Sequence, residues 1–231
     1  MDARRLVDEI RNDLRPIEEE IASHPFPRAI EAGSAPIEAL HAFVGHQQAI
    51  VASDLRSVAL LVHRYGHTPA GPFLAGVLEG ERIAQDRLVV LGRRAGMSDA
   101  DSRTYEVSAE GFAYGTYMAW QALYGSAAEF VAGILVNFPV WGSNCGRIGR
   151  GLRTHYGFAP EETAFLDGFA EMPPFDEPAV SIIQDGLDHG VKPADVHRAA
   201  RLFQAYEKMF WDGVAIAWTP AASASRGRRP G

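Results

Sequence analysis

Apolar residues recur every three or four positions along nearly the whole chain, which is the spacing of one face of an α-helix. The N-terminal segment is typical, since its apolar residues include Leu6, Ile10, Leu14, Ile17 and Ile21. Alternating apolar and polar runs, which indicate strands, and Asn-Gly hairpin turns are nearly absent. The chain is therefore predicted to be all-α, a helical bundle of about seven to nine helices.

Serine, proline and glycine mark the ends of the predicted helices. Pro16 is expected to bend or interrupt the first helix, and Gly33 to end a short second helix that begins at His24. The following helices are predicted over residues 34–65, 72–96, 108–124, 126–150, 160–171, 177–189 and 193–218, with a short turn at 98–99. No internal repeat or second domain boundary is evident, so residues 1–218 are expected to form a single domain. Residues 219–231 are small, polar and rich in Gly and Pro, and are expected to be a disordered tail.

The charge distribution and hydropathy of the chain exclude several classes of protein. The 231 residues carry a net charge of −7, and the arginines are scattered rather than gathered into a basic stripe, so no nucleic-acid partner is expected. No apolar run approaches the length of a membrane span, and the charged N-terminus lacks the apolar region of a signal peptide. We therefore expect a cytoplasmic protein that does not bind membranes. Its single cysteine, Cys145, excludes an internal disulfide and a metal site of clustered cysteines.

Two pairs of residues have the i, i+4 spacing with which helical side chains can bind one metal ion. They are His63 with His67 and Asp185 with His189. Both pairs lie at predicted helix ends next to glycine, where histidines are usually solvated and placed near the negative end of the helix dipole. Ordinary surface residues are therefore the preferred interpretation, and no metal or other cofactor is expected. Asp185 with His189 remains the weaker alternative.

Two further residues have side chains suited to catalysis. Cys145 lies near Arg147, and a nearby cation would lower the pKa of its thiol, although a lone buried cysteine is more often inert packing. Glu207 shares a helical face with Phe203 and Trp211. If that face is buried, the charged form of the carboxyl is disfavoured and Glu207 is suited to general acid–base catalysis. The alternative is a surface ion pair between Glu207 and a basic neighbour.

The apolar segment GILVNFPVWGSNCGRIG, residues 133–149, contains an amide, a proline and an indole ring. Asn137 and Trp141 are one helical turn apart, and a buried amide without partners costs about 1–3 kcal/mol. Pro139 frees a backbone carbonyl one turn upstream and bends the helix. These residues predict either the lining of a pocket, with Asn137 and Trp141 facing a ligand, or a hydrogen bond between helices within an aromatic core.

Four segments, in this order, resemble the TenA/thiaminase II family, whose members have the haem-oxygenase-like fold. They are HPFPRAIEAGSAPIEALHAFVGHQQ, AYGTYMAW, GILVNFPVWGSNCGRIG and YEKMFWDG. The similarity extends over about residues 10–217. It implies a haem-oxygenase-like helical bundle, a small-molecule substrate, and a homodimer or homotetramer. It also implies hydrolysis of aminopyrimidines related to thiamin by a cysteine nucleophile and a network of carboxylates.

The residues at the positions of the family's site depart from its pattern. The cysteine position falls on Asn137 or, in a second register, on Val140, so neither register supplies a thiol. Gln48 replaces the aspartate of a Gln-Asp pair, and a tyrosine position falls on Phe165 or Phe169. The resemblance thus implies Glu207 as the catalytic residue and five residues for substrate binding, namely Asn137, Gln48, Tyr114, Trp141 and Phe169.

Three functional hypotheses follow from these residues. The first is a TenA-like enzyme without the usual cysteine, which hydrolyses or otherwise processes a small heteroaromatic amine with Glu207 as general acid–base. The second is a small-molecule-binding homologue that has lost catalysis, because the nucleophile and the aspartate are replaced. The third is an oxygen-using oxidase of the haem-oxygenase-like fold acting in a biosynthetic pathway, which is motivated by the pair Asp185 and His189.

Overall fold

Side-chain caps fix where several of the helices begin. In the computed structural model, which describes residues 2–218, the side chain of Asp2 accepts a hydrogen bond from the backbone N–H of Arg4. Ser126 and Glu129 form a capping box at the start of the longest helix. Two 3-10 turns occupy Ile37–Ala39 and Pro160–Glu162. The α-helices of the described residues are α1 (Ala3–Ala22), α2 (Pro25–Glu31), α3 (Leu40–Tyr65), α4 (Gly71–Arg94), α5 (Asp99–Arg103), α6 (Ala109–Tyr124), α7 (Ala127–His155), α8 (Ala164–Ala170), α9 (Asp176–Asp188) and α10 (Pro193–Trp218).

The all-α prediction is confirmed, with one helix more than the upper limit expected. The additional helix is α5, which a capping box between Ser98 and Asp101 holds in place where the sequence predicted a turn. Pro16 does not interrupt α1, and α7 continues to His155, beyond its predicted end at residue 150. The predicted tail, residues 219–231, lies outside the described residues.

Six of the helices pack side by side in a closed ring. α7 packs against α10, α10 against α6, α6 against α3, and α3 against α4. α4 packs against α8, and α8 packs against α7, which closes the ring. The three helices α1, α2 and α9 pack against α7, and α1 also packs against α10. Residues far apart in the sequence therefore meet inside the ring.

Two glycines let neighbouring helices approach α7 closely. A Cβ atom on Gly133 would lie 2.0 Å from Cδ2 of Phe203 in α10. A Cβ atom on Gly142 would lie 2.6 Å from the backbone oxygen of Phe169 in α8. Since contacts this short do not occur, any larger residue would push α10 or α8 away from α7. Glu207 is one turn beyond Phe203, so these approaches fix the positions of two site residues.

Buried apolar side chains form two clusters that meet at one tyrosine. Phe43 and Trp211 belong to the first cluster, and Phe130 and Phe203 to the second. Tyr114 packs against both. Within residues 2–218, no helix combines the length and the apolar character needed to cross a bilayer.

Candidate functional site

The helix ring encloses a small cavity to which all six of its helices contribute. The volume of the cavity is about 40 Å³, enough for about three waters. Three carboxyl groups and several aromatic rings face it. The lining residues are Gln47, Ile50, Val51, Asp54, Glu81, Tyr114, Met118, Asn137, Phe138, Trp141, Phe169, Glu207 and Phe210.

Glu207 in α10 is a buried carboxyl group held by two hydrogen-bond donors. Its side chain is 1% exposed, and Oε1 accepts a hydrogen bond of 2.9 Å from Nε1 of Trp211. Oε2 accepts a hydrogen bond from Nδ2 of Asn137. Burial raises the pKa of Glu207 to about 8, although both hydrogen bonds act in the opposite direction. The group is therefore mostly protonated at neutral pH and can lose its proton near that pH. The alternative of a surface ion pair is excluded, because Glu207 is buried and Lys208 pairs with Asp212 at 2.9 Å instead.

Asn137 in α7 connects Glu207 to a tyrosine and to a second amide. The hydroxyl of Tyr114 donates a hydrogen bond of 3.0 Å to Oδ1 of Asn137. Nδ2 of Asn137 also lies 3.3 Å from Oε1 of Gln204, which accepts from it. Burial, with the charges of nearby carboxyls, raises the pKa of Tyr114 well above its ordinary value, so this hydroxyl remains a donor. Asn137 thus orients Glu207, and both the oxygen and the nitrogen of its side-chain amide are hydrogen-bonded.

Two further buried carboxyl groups, which the sequence motifs did not predict, belong to Asp54 in α3 and Glu81 in α4. Their side chains are 3% and 7% exposed. Among the described residues, Oδ1 of Asp54 and Oε2 of Glu81 have no hydrogen-bond partner. Burial raises the pKa of Glu81 to about 7. Burial and the charge of Glu81 together raise the pKa of Asp54 well above its ordinary value. Two unpartnered acidic oxygens in one cavity favour a ligand that carries a basic or hydrogen-bond-donating group.

A helical pattern in the sequence could have pointed to Asp54. Gln47, Ile50, Val51 and Asp54 follow an i, i+3, i+4, i+7 spacing, so they share one face of α3. Glu81 similarly shares a face of α4 with apolar residues three and four positions away. An acidic residue on an apolar face is a signal of a buried, functional carboxyl group.

Aromatic rings form much of the remaining lining. The ring of Trp141 meets Phe169 edge-on at a centroid distance of 5.8 Å and Phe210 at 5.6 Å. Its centroid lies 5.2 Å from that of Trp211. These contacts fix the rings, so the cavity has rigid apolar sides next to its carboxyl groups. Such a lining suits a flat, partly polar ligand.

The structure brings five of the six predicted site residues to this cavity. The exception is Gln48, whose Nε2 donates a hydrogen bond of 3.1 Å to Oγ of Ser102. Its neighbour Gln47 lines the cavity instead, because consecutive residues of a helix point about 100° apart. Of the two registers for the cysteine position, only the residue at 137 faces the cavity, and Val140 does not. The five residues in the cavity are Glu207, Asn137, Tyr114, Trp141 and Phe169.

The other candidate residues lie outside the cavity. Cys145 is 0% exposed and does not line it, and burial raises the pKa of its thiol well above the ordinary value. Nδ1 of His189 lies 3.4 Å from Oδ1 of Asp185 on the surface, where the histidine side chain is 77% exposed. His63 and His67 are also exposed. Within the described part of the chain, no group of three or more His, Cys, Asp or Glu side chains is placed to hold a metal ion.

The family and fold of the chain follow from comparisons with known proteins. Residues 11–171 match the TENA/THI-4/PQQC family, and no curated protein gives a significant match. A TenA homologue from Pseudomonas syringae pv. tomato superposes with a TM-score of 0.76 at 15% identity, covering 90% of this chain and 92% of the homologue. A TenA homologue from Pyrococcus furiosus gives 0.72 at 16% identity, with 90% and 99% covered. A Shewanella denitrificans domain of unknown function with a haem-oxygenase-like fold gives 0.74 at 12% identity, with 100% and 99% covered.

Proposed function

Because the chain belongs to the TENA/THI-4/PQQC family, we propose that it is a TenA-like enzyme that hydrolyses or otherwise processes a small heteroaromatic amine. The observation that carries this proposal is the position of Glu207. Its carboxyl group has a pKa of about 8 and faces a cavity lined by aromatic rings and two further carboxyl groups. A buried carboxyl group that titrates near neutral pH is suited to general acid–base catalysis.

The substrate class follows from the groups that face the cavity. An aminopyrimidine has a ring nitrogen that accepts a hydrogen bond next to an amino group that donates one. A protonated carboxyl group offers the complementary donor and acceptor. Asp54 and Glu81 have raised pKa values and unpartnered oxygens, so either can bind this edge. Trp141 and Phe169 would contact the ring, and Gln47 supplies a further amide.

The reaction can proceed without a cysteine if water is the nucleophile. For an aminomethyl pyrimidine, protonated Glu207 gives its proton to the leaving nitrogen, the C–N bond breaks, and ammonia leaves. The carboxylate of Glu207 then takes a proton from water while the water oxygen forms a bond to the same carbon, which yields the alcohol. Trp211 and Asn137 donate to this carboxylate and so stabilise it between the two steps. The amide of Asn137 has no role as a nucleophile.

Ligand binding and turnover are measured together to test this proposal. The probes are 4-amino-5-aminomethyl-2-methylpyrimidine, its 5-hydroxymethyl analogue and thiamin. At about 100 times its dissociation constant, a ligand adds roughly 2.7 kcal/mol of stability, which raises Tm by about 5–10 °C for a chain of this length. We expect that shift and release of ammonia from the aminomethyl compound, and we expect Glu207→Gln to remove turnover while the protein stays folded. No shift with any probe would overturn the proposal.

A binding protein without catalysis is the second candidate. It is favoured by the side chains in the cavity, because Asn137, one of the two residues matched to the cysteine position, lines the cavity and Cys145 does not. A Tm shift without any product after long incubation would support this candidate over the enzyme.

A cytoplasmic homodimer or homotetramer is also part of the proposal. It is supported by large apolar side chains exposed on α6, where Trp120 is 43%, Leu123 56% and Tyr124 70% exposed. Light scattering should give a mass of two or four chains for the wild-type protein and a smaller mass for Leu123→Arg. A wild-type mass of one chain would contradict the assembly.

A further inference from the structure

An apolar groove lies between α4 and α8, beside the central cavity. The volume in which the centre of a water molecule can move there is about 450 Å³, far more than the 40 Å³ of the cavity. Phe73 and Phe138 each contact Phe175, at centroid distances of 5.5 Å and 6.1 Å. Aliphatic residues, Pro72 and Pro173 extend this lining, and the exposed side chain of Arg87 adds one positive charge to it. The groove has the size and character of a site for an apolar group.

The groove and the cavity share three lining residues, Glu81, Phe138 and Phe169. The two spaces are therefore adjacent, and one ligand can extend from the first into the second. Glu81 stands at their junction with Oε2 unpartnered among the described residues. Its side chain is 7% exposed, so the junction presents a buried acidic oxygen. A basic or hydrogen-bond-donating group of the ligand would satisfy it.

Two glycines of α4 keep the groove open. Gly76 and Gly80 are one turn apart on the same helical face, and a Cβ atom on either would meet nothing within 4 Å. They differ from Gly142, where a Cβ atom would lie 2.6 Å from the backbone of Phe169. Helix packing therefore does not require glycine at 76 or 80. Helix stability does not favour it either, because glycine weakens a helix. Larger side chains at these positions would extend into the groove.

We propose that this groove binds an apolar substituent of the substrate while the amine-bearing ring of the same molecule lies in the central cavity. The substrate class is then a heteroaromatic amine with an alkyl or aryl substituent. This inference rests on the proposed function, since it needs the ring to occupy the cavity. A fatty acid fits the junction less well, because a carboxylate placed there would lie beside Glu81 and Asp54, although Arg87 gives the groove one positive charge.

The experiment compares ligands that differ only in the substituent. Calorimetry gives Kd for 4-amino-2,5-dimethylpyrimidine and for analogues with a hexyl chain in place of the methyl group at C5 or at C2. Each fully buried methylene lowers Kd about fourfold. We expect at least one hexyl compound to bind more than tenfold more tightly than the dimethyl compound. Dodecanoate serves as the anionic probe and is expected not to bind.

Two leucine variants of the protein test whether the hexyl substituent binds in the groove. Gly80→Leu should fill the groove and remove the gain from hexyl, while Kd of the dimethyl compound stays within twofold of the wild-type value. Gln85→Leu adds the same side chain at an exposed position of α4 outside the groove and should retain the gain. The Tm of Gly80→Leu should equal or exceed that of the wild type, because leucine favours a helix more than glycine does.

The possible results separate this inference from the proposed function. If the dimethyl compound binds and no hexyl compound binds more tightly, the groove inference is overturned and the proposed function stands. If hexyl increases the affinity of Gly80→Leu as much as that of the wild type, the groove inference is also overturned. Binding of dodecanoate without binding of any pyrimidine would overturn both, and so would the absence of binding by every probe.

Discussion

The hydroxyl of Tyr114 in α6 donates a hydrogen bond of 3.0 Å to Oδ1 of Asn137 in α7. The same asparagine donates through Nδ2 to the carboxyl group of Glu207 in α10. Three helices, of which α6 and α7 are consecutive and α10 is distant in the sequence, are thus joined through one amide. The orientation of the Glu207 side chain therefore depends on a tyrosine that also lines the cavity.

Tyr114→Phe should reduce both stability and ligand binding. The substitution leaves the buried Oδ1 of Asn137 without its donor, which costs about 1–3 kcal/mol of unfolding free energy. Urea unfolding measures this loss, and calorimetry with the aminopyrimidine probes should show weaker binding. Tyr156→Phe is the matched control, because it removes a hydroxyl that donates to the backbone oxygen of Ala35 at 2.8 Å, away from the cavity. Equal probe affinity in Tyr114→Phe and Tyr156→Phe would contradict the role of Tyr114.

The stability of the protein should fall as the pH rises through the range in which Glu207 titrates. Burial raises the pKa of Glu207 from 4.5 to about 8, so between these values the folded protein binds more protons than the unfolded chain. The contribution of this group is fully present below pH 4.5 and is lost as the pH approaches 8, by up to about 1.4 kcal/mol per pH unit. Unfolding free energies measured from pH 5 to 9 should decline less steeply in Glu207→Gln.

Glu79→Gln is the control for that experiment. Arg82 lowers the pKa of Glu79 by hydrogen bonding, so this exposed carboxyl group is charged throughout pH 5–9 in the folded and unfolded chain. Removing the Glu79 carboxyl group should therefore leave the slope of the unfolding free energy against pH unchanged. Identical slopes in the wild type and in Glu207→Gln would show that Glu207 does not have the raised pKa.

The sequence was sufficient to predict the fold class and most of the helix limits. Helical periodicity and punctuation located every helix except α5, whose five residues are too few to show a period. Gly33, which was predicted to end the second helix, and Gly190, which directly follows the helix predicted over 177–189, have φ angles of 65° and 95°, a conformation that favours glycine. The structure and the comparisons confirm the haem-oxygenase-like fold that the resemblance implied.

The site was less accessible to sequence reasoning, for two physical reasons. Asp54 and Glu81 lie on different helices and outside the quoted motifs, so their meeting in one cavity depends on the packing of α3 against α4. Gln48 was predicted because the resemblance placed it at the aspartate of a Gln-Asp pair. A shift of one residue along a helix turns a side chain by about 100°, and Gln47 faces the cavity instead.

The adjacent pair of glutamines gives a direct test of the cavity. Gln47→Leu should weaken binding of the aminopyrimidine probes by about five- to tenfold, the value of one hydrogen bond. Gln48→Leu should change Kd less than twofold, because Gln48 contacts Ser102 instead. Calorimetry on the two variants measures the difference. The reverse order of effects would place the ligand on the other face of α3.

Cys145 should be dispensable for activity and unreactive in the folded protein. The side chain is fully buried, and burial raises the pKa of its thiol, so little thiolate forms at pH 8. Iodoacetamide should alkylate the urea-unfolded chain but not the folded protein, as measured by intact mass. Cys145→Ala should retain turnover of the aminomethyl probe. Rapid inactivation by iodoacetamide would instead make the thiol a participant in the reaction.

Glu18 should tune the proton affinity of Glu207 from the outside of the bundle. Its Oε1 accepts a hydrogen bond of 3.1 Å from Nε2 of Gln204, and Gln204 in turn accepts from Asn137. The negative charge of Glu18 contributes to the raised pKa of Glu207, because it disfavours a second negative charge nearby.

Glu18→Gln removes that charge, so the pKa of Glu207 should fall. The pH at which the rate changes with the protonation of Glu207 should move downward by roughly a few tenths of a unit, a small shift because Gln204 and Asn137 separate the two charges. Initial rates with the aminomethyl probe from pH 5 to 10 measure the change. Glu20→Gln, an exposed neighbour in α1, is the control and should leave the profile in place. An upward shift in Glu18→Gln would mean that Glu18 acts on Glu207 through the hydrogen-bond chain rather than through its charge.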